Sequence, residues 1–111
     1  MKVKILRYDE ESDCLYVSIG SRQSHLTFEL SRRIAVDLDR QNRVLGVEII
    51  DASKVISDLF HKKVAKGEIK DLLCRIDKQD TINLRFGFRG REEHASLALP
   101  SFYKSPLLTV S

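Results

Sequence analysis

Ile34-Ala35-Val36-Asp37-Leu38-Asp39-Arg40-Gln41-Asn42-Arg43-Val44-Leu45-Gly46-Val47-Glu48-Ile49-Ile50-Asp51 is the stretch on which the reading of this chain turns. Ile34, Val36 and Leu38 recur at a period of two, the spacing that lines one face of a strand. Residues 40–43 break that pattern, and Asn42 is the residue there best able to accept a positive φ in a turn. Residues 44–50 then return as the paired strand, and Gly46 inside it predicts a bulge or a close backbone approach. Asp51 is an acceptor suited to cap a helix, which the spacing carries over 51–63. Val55, Ile56, Leu59 and Phe60 form one apolar stripe at helical spacing, fit to pack on a sheet or to serve as an interaction surface. Gly67 marks the break beyond it.

On the N-terminal side, Val3, Ile5 and Tyr8 begin a strand and residues 14–19 form another, with the polar loop 9–13 between them. Leu26, Phe28 and Leu30 alternate with Thr27 and Glu29, the pattern of a half-buried strand. On the C-terminal side strands are predicted at 72–77, 81–88 and 94–99. In the middle one Ile82, Leu84, Phe86 and Phe88 alternate with Asn83, Arg85, Gly87 and Arg89, so one face is apolar and the other basic. The predicted fold is α+β: mainly antiparallel β-meanders packed with one amphipathic helix, in a single domain spanning 1–111. Within it, 3–66 form a meander plus the helix, 70–100 a second meander, and 101–111 a tail. Setting Arg7-Tyr8-Asp9 against Arg75-Ile76-Asp77 brings Gly20 opposite Gly87 and His25 opposite His94. That parallel fits an internal duplication, and it equally fits two unrelated meanders obeying the same turn rules.

The chain has 111 residues, 42% of them apolar and 32% charged, a composition that can fold around one modest core. The charged residues among the first seven leave no uninterrupted apolar run for a signal peptide. No apolar run approaches the roughly 20 residues of a membrane span. Cys14 and Cys74 lack metal-like spacing and read as reduced thiols, so a cytoplasmic protein is expected. A net charge of +3, spread in mixed signs along the chain, favours solubility more than a polyanion partner.

Candidate sites are few. Asp9, Glu10, Glu11 and Asp13 could offer oxygen ligands to a hard cation, but their spacing is not that of a calcium loop, and a solvated hairpin loop explains them. Asp37, Asp39 and Glu48 could share a surface, though nothing nearby supplies the burial that acid–base work needs. His25, His61 and His94 belong to no ligand pair. No catalytic, cofactor or metal residues are therefore assigned. Arg85, Arg89 and Arg91, with Arg75 or Lys78, form a candidate nucleic-acid face, as do Lys62, Lys63, Lys66 and Lys70. That reading is disfavoured because Phe86 and Phe88 should face the core rather than stack on bases.

The segment Tyr8-Asp9-Glu10-Glu11-Ser12-Asp13-Cys14-Leu15-Tyr16, with Gly46-Val47-Glu48-Ile49-Ile50-Asp51-Ala52-Ser53, resembles a small prokaryotic family of domains of unknown function, number two-two-eight-three, over residues 3–60. The resemblance carries no biochemical activity with it. It implies for some relatives an antitoxin-like role as the partner of a small protein. The expectation is a non-enzymatic interaction module, with a homodimer as the commonest closed assembly. The alternatives are a nucleic-acid-binding regulator and, third, an enzyme with a carboxylate site.

Overall fold

The computed structural model describes residues 2–4, 6–21, 23–78 and 82–100. The expected tail 101–111, Ile5, Thr81 and the side chain of Lys78 lie outside the described residues. Among the described residues nine strands form two antiparallel sheets and one α-helix packs with them, the α+β class expected from the periodicity. In chain order the strands are β1 (Lys2–Lys4), β2 (Leu6–Asp9), β3 (Cys14–Ser18), β4 (Leu26–Glu29), β5 (Ile34–Leu38) and β6 (Val44–Ile50). After α1 (Ala52–Phe60) and a 3-10 turn (Lys66–Asp71) come β7 (Leu72–Lys78), β8 (Ile82–Phe88) and β9 (His94–Leu99). One sheet runs β2-β3-β6-β5-β4, the other β1-β7-β8-β9.

The first strand region serves both sheets. β1 pairs with β7 through Lys2↔Ile76 and Lys4↔Cys74, whereas β2 pairs with β3 through Leu6↔Val17 and Asp9↔Cys14. The period of two alone cannot show this change of partner.

The apolar faces of both sheets and of α1 meet in one cluster. Val17, Val36, Val47 and Ile49 enter it from the five-stranded sheet, Ile56 from the helix, and Leu84, Phe86 and Leu99 from the four-stranded sheet. Each of these side chains is at most 1% exposed, so each is removed from water almost completely. Phe60 on α1 stacks at a tilt on Phe88, ring centroids 5.0 Å apart, which ties the helix to the second sheet.

Three expectations are corrected. The helix stops at Phe60 rather than reaching 63, because His61 turns left-handed at φ 56° and the Lys62 amide closes back on the Ser57 carbonyl. β4 is not half-buried: all four of its residues are exposed, with Leu26 at 50% and Phe28 at 45%. It sits at the far edge of its sheet, while α1 packs on β6 and β7 approaches β2, so nothing among the described residues covers the β4 end. The parallel between the halves ends at the third strand, since β9 pairs with β8 but β4 pairs with β5 and not β3.

Gly46 shows both features its position suggested. The register slips between Asp37 and Leu38, which face Gly46 and Val44, leaving Leu45 as the extra residue of a bulge. A Cβ on Gly46 would lie 2.0 Å from the Tyr16 hydroxyl, because the Tyr16 ring lies across this glycine. Gly46→Ala should therefore destabilise by about 1–3 kcal/mol. In urea unfolding, the Gly46→Ala/Tyr16→Ala double variant should lose clearly less than the sum of the two single losses; simple additivity would mean that the ring does not constrain position 46.

Candidate functional site

Two surfaces and two polar nodes make up the candidate sites. The first node joins the β2–β3 hairpin to the start of α1. Asp13, in a left-handed conformation at φ 55°, is only 6% exposed. Its carboxylate accepts from the Tyr8 hydroxyl at 2.6 Å, the Ser53 amide at 3.0 Å and the Ser53 hydroxyl at 2.7 Å. Its carbonyl accepts from the Ala52 amide at 2.9 Å. Asp13 is thus the residue that caps α1. Asp51, expected to do so, sits at φ 52° with no side-chain cap bond and pairs with Arg33 at 3.3 Å. Burial pushes the Asp13 carboxyl up, but the hydrogen bonds from Tyr8 and Ser53 outweigh it and hold the group below the usual carboxylate range. Burial and the bond to Asp13 push the Tyr8 phenol well above its ordinary value.

The second node lies on the other face of the five-stranded sheet. Asp37 accepts from the Tyr16 hydroxyl at 2.9 Å and from the Thr27 hydroxyl at 2.7 Å, spanning three strands. The Arg7 guanidinium sits 5.4 Å above the Tyr16 ring. Burial, then the bond to Asp37, raises the Tyr16 phenol to about 12, which makes it a structural donor and a poor nucleophile. Asp39 does not project beside Asp37 as the alternation suggested. It is buried in its own turn, where it accepts the Gln41 and Arg43 amides at 2.8 and 2.9 Å and pairs with the Arg43 guanidinium. Glu48 stays exposed on β6. The three carboxylates therefore do not converge.

In the acidic loop, Asp9 accepts the Glu11 amide and the Ser12 hydroxyl, an Asx-type turn. His25 precedes β4, His61 ends α1 and His94 opens β9, all exposed. No group of three or more His, Cys, Asp or Glu with metal-ligand geometry occurs among the described residues. Cys74 is buried, and that burial pushes its thiol up to about 12, so it is held protonated.

The first surface is the β4 edge. Leu26 pairs across from Leu38 and Phe28 from Val36, so both lie on the sheet's apolar face. The second is the outward face of the four-stranded sheet. Arg75 on β7 and Arg85 on β8 are directly opposite each other, with Ser96 of β9 next in the row. Arg89 begins the following turn, and Arg91 lies against Phe88 and pairs with Glu68 at 3.4 Å. The three arginines singled out in the sequence therefore do not form one row. The sequence pattern identified Arg85, but the pairing that sets it against Arg75 depends on the β7–β8 register. As for the helical stripe, Ile56 is buried in the core and Val55, Leu59 and Phe60 pack half-buried against it.

Comparison with known proteins gives one match. Residues 5–53 fit the model of a family described as a protein of unknown function, DUF2283. No curated protein and no solved structure matches the chain. The matched segment corresponds to the five-stranded sheet and the opening of α1: it starts where the N-terminal strand changes sheets and ends at Ser53, the partner of Asp13.

Asp13→Ala should cost roughly 3 kcal/mol, since it strips the helix cap and leaves the Tyr8 hydroxyl unpaired. Because the folded carboxyl is held below its unfolded value, its contribution is complete above about pH 4 and is lost as pH falls toward the lowered value. Chemical denaturation from pH 7 to 2 should show Asp13→Asn flattening this acid limb; a limb as steep as the wild type's would assign acid sensitivity elsewhere. At the alkaline end the signs reverse. The raised Tyr16 phenol contributes below about pH 10, and that contribution is lost as pH rises toward about 12. Tyr16→Phe should therefore reduce the alkaline slope of stability when the same titration is carried upward.

Proposed function

We propose that this protein is a non-enzymatic interaction module that pairs with a second copy of itself along β4. The observation that carries the reading is a strand that ends its sheet among the described residues, with every residue exposed and Leu26 half-exposed on its apolar face. The Leu30 amide donates inward to the Ile34 carbonyl, so the antiparallel alternation turns the backbone groups of Thr27 and Glu29 outward. A two-fold copy aligned with Phe28 against its own counterpart brings Thr27 opposite the second Glu29, and Glu29 opposite the second Thr27. These residues supply a ladder of backbone hydrogen bonds. In the same register Leu26 meets the second Leu30, and Arg32 meets Ser24, so no like charges face each other.

The antitoxin-like role implied by the family resemblance belongs to the same class of reading. A small protein presenting an extended segment would add to the same edge, with main-chain hydrogen bonds giving affinity and the Leu26 and Phe28 positions giving specificity.

Light scattering coupled to size exclusion at about 0.1 mM protein, where complexes with Kd up to that concentration remain populated, should return a dimer. Leu26→Lys removes the apolar contact with the second Leu30. Glu29→Pro removes an outward amide without touching the ladder to β5. Both should give monomers whose circular dichroism matches the wild type. A monomeric wild type, or a dimer that survives both substitutions, would remove β4 as the interface.

A further inference from the structure

We infer that the outward face of the four-stranded sheet carries a binding site for the phosphate group of a small phosphorylated molecule, held between Arg75 and Arg85. Like charges directly opposite on neighbouring strands repel, and sheets ordinarily avoid them or flank them with carboxylates. Here neither guanidinium forms an ion pair among the described residues. Two nearby carboxylates are already engaged, Glu93 with Lys62 and Glu68 with Arg91. Asp77, two residues along β7 on the same face, forms no ion pair with either arginine among the described residues and does not line the groove, where Arg75, Arg85 and Arg91 outnumber Glu92 and Glu93.

The shape suits an anion with an organic part. The groove encloses about 660 Å³, and Leu73, Arg75, Arg85 and His94 contribute to its lining. Gly87 forms part of its floor between Leu73 and His94, its two cross-strand neighbours. A Cβ there would meet only the Glu93 carbonyl oxygen at 3.5 Å and the His94 Cβ at 4.0 Å, so the missing side chain leaves open space above the sheet. A phosphate entering that space can accept from two planar guanidinium forks, a geometry for which arginine is better suited than lysine. His94 supplies a third donor at the rim, and Leu73 an apolar wall for the part of the ligand beyond the phosphate. Phe86 and Phe88 are buried, so among the described residues this face has no exposed aromatic platform for successive bases, which favours a compact phosphate over a nucleic-acid strand.

This site lies outside the segment matched by the family model and away from β4, so it stands or falls separately from self-pairing. Amide chemical shifts of the full chain would be followed in low salt during titration with phenyl phosphate, inorganic phosphate, succinate and a single-stranded oligonucleotide. The expected result is saturable movement of the Gly87 and His94 amides with both phosphates below about 10 mM, weaker with succinate. Arg75→Gln and Arg85→Gln should each weaken binding about ten-fold or more, while Arg32→Gln in the distant β4–β5 turn leaves it unchanged. Arg85→Gln should also raise the thermal midpoint of the ligand-free protein, because it relieves the cross-strand repulsion; that shift separates a ligand-binding arginine from one that supports the fold. No saturable movement, or movement that persists in both glutamine variants, would overturn the site. So would binding confined to the oligonucleotide.

Discussion

A carboxylate out of reach of water holds this fold in its arrangement. Asp13 is nearly inaccessible, and an ionised carboxylate can occupy such a place only if its oxygens find donors. Tyr8 supplies one from the strand before the loop, and Ser53 supplies two from the first turn of α1. Satisfying that charge therefore fixes the hairpin to the helix, and the helix then seats Phe60 on Phe88 in the other sheet. Ala52, fully buried between Asp51 and Ser53, has to be small for the turn to approach the loop so closely. The spacing of Tyr8, Asp13, Ala52 and Ser53 is thus accounted for by one polar node and the packing around it. All four positions lie within the segment that fits the family model.

The legible part of the fold was what depends on short range. Alternation in 34–38, 44–50 and 82–88 gave strands at those places, Asn42 took the positive φ expected of it, and Gly46 marked a real bulge and a real close approach. What misled were residues whose partners lie far along the chain. Asp51 has every local mark of a cap, yet the cap comes from a residue forty positions from the serine it serves. Alternation in β4 described which residues share a face but not whether that face is covered, because coverage depends on where the helix and second sheet come to rest. The same limit applies to the candidate sites. Arg85 stood out as part of a basic strand face, but its relation to Arg75 exists only once β7 and β8 have taken their register.

The molecule divides its features between two sheets of different character. The five-stranded sheet contains the family-matched segment, the Asp13 node and the exposed β4 edge. The four-stranded sheet adds the layer that covers the β2 and β6 end, together with the basic groove on its far side. The N-terminal strands face both tasks, since β1 pairs in one sheet and β2 in the other.

That shared segment also sets an order on biosynthesis. β1 precedes its hydrogen-bonding partner β7 by the whole five-stranded sheet and α1, so it is synthesised well before that partner. The family-like sheet can close while translation continues, but the backbone of residues 2–4 must wait, unpaired, until residues 72–78 have emerged. The docking of β1 is then a late, nonlocal event, and nascent chains halted before β7 would carry that strand without its partner.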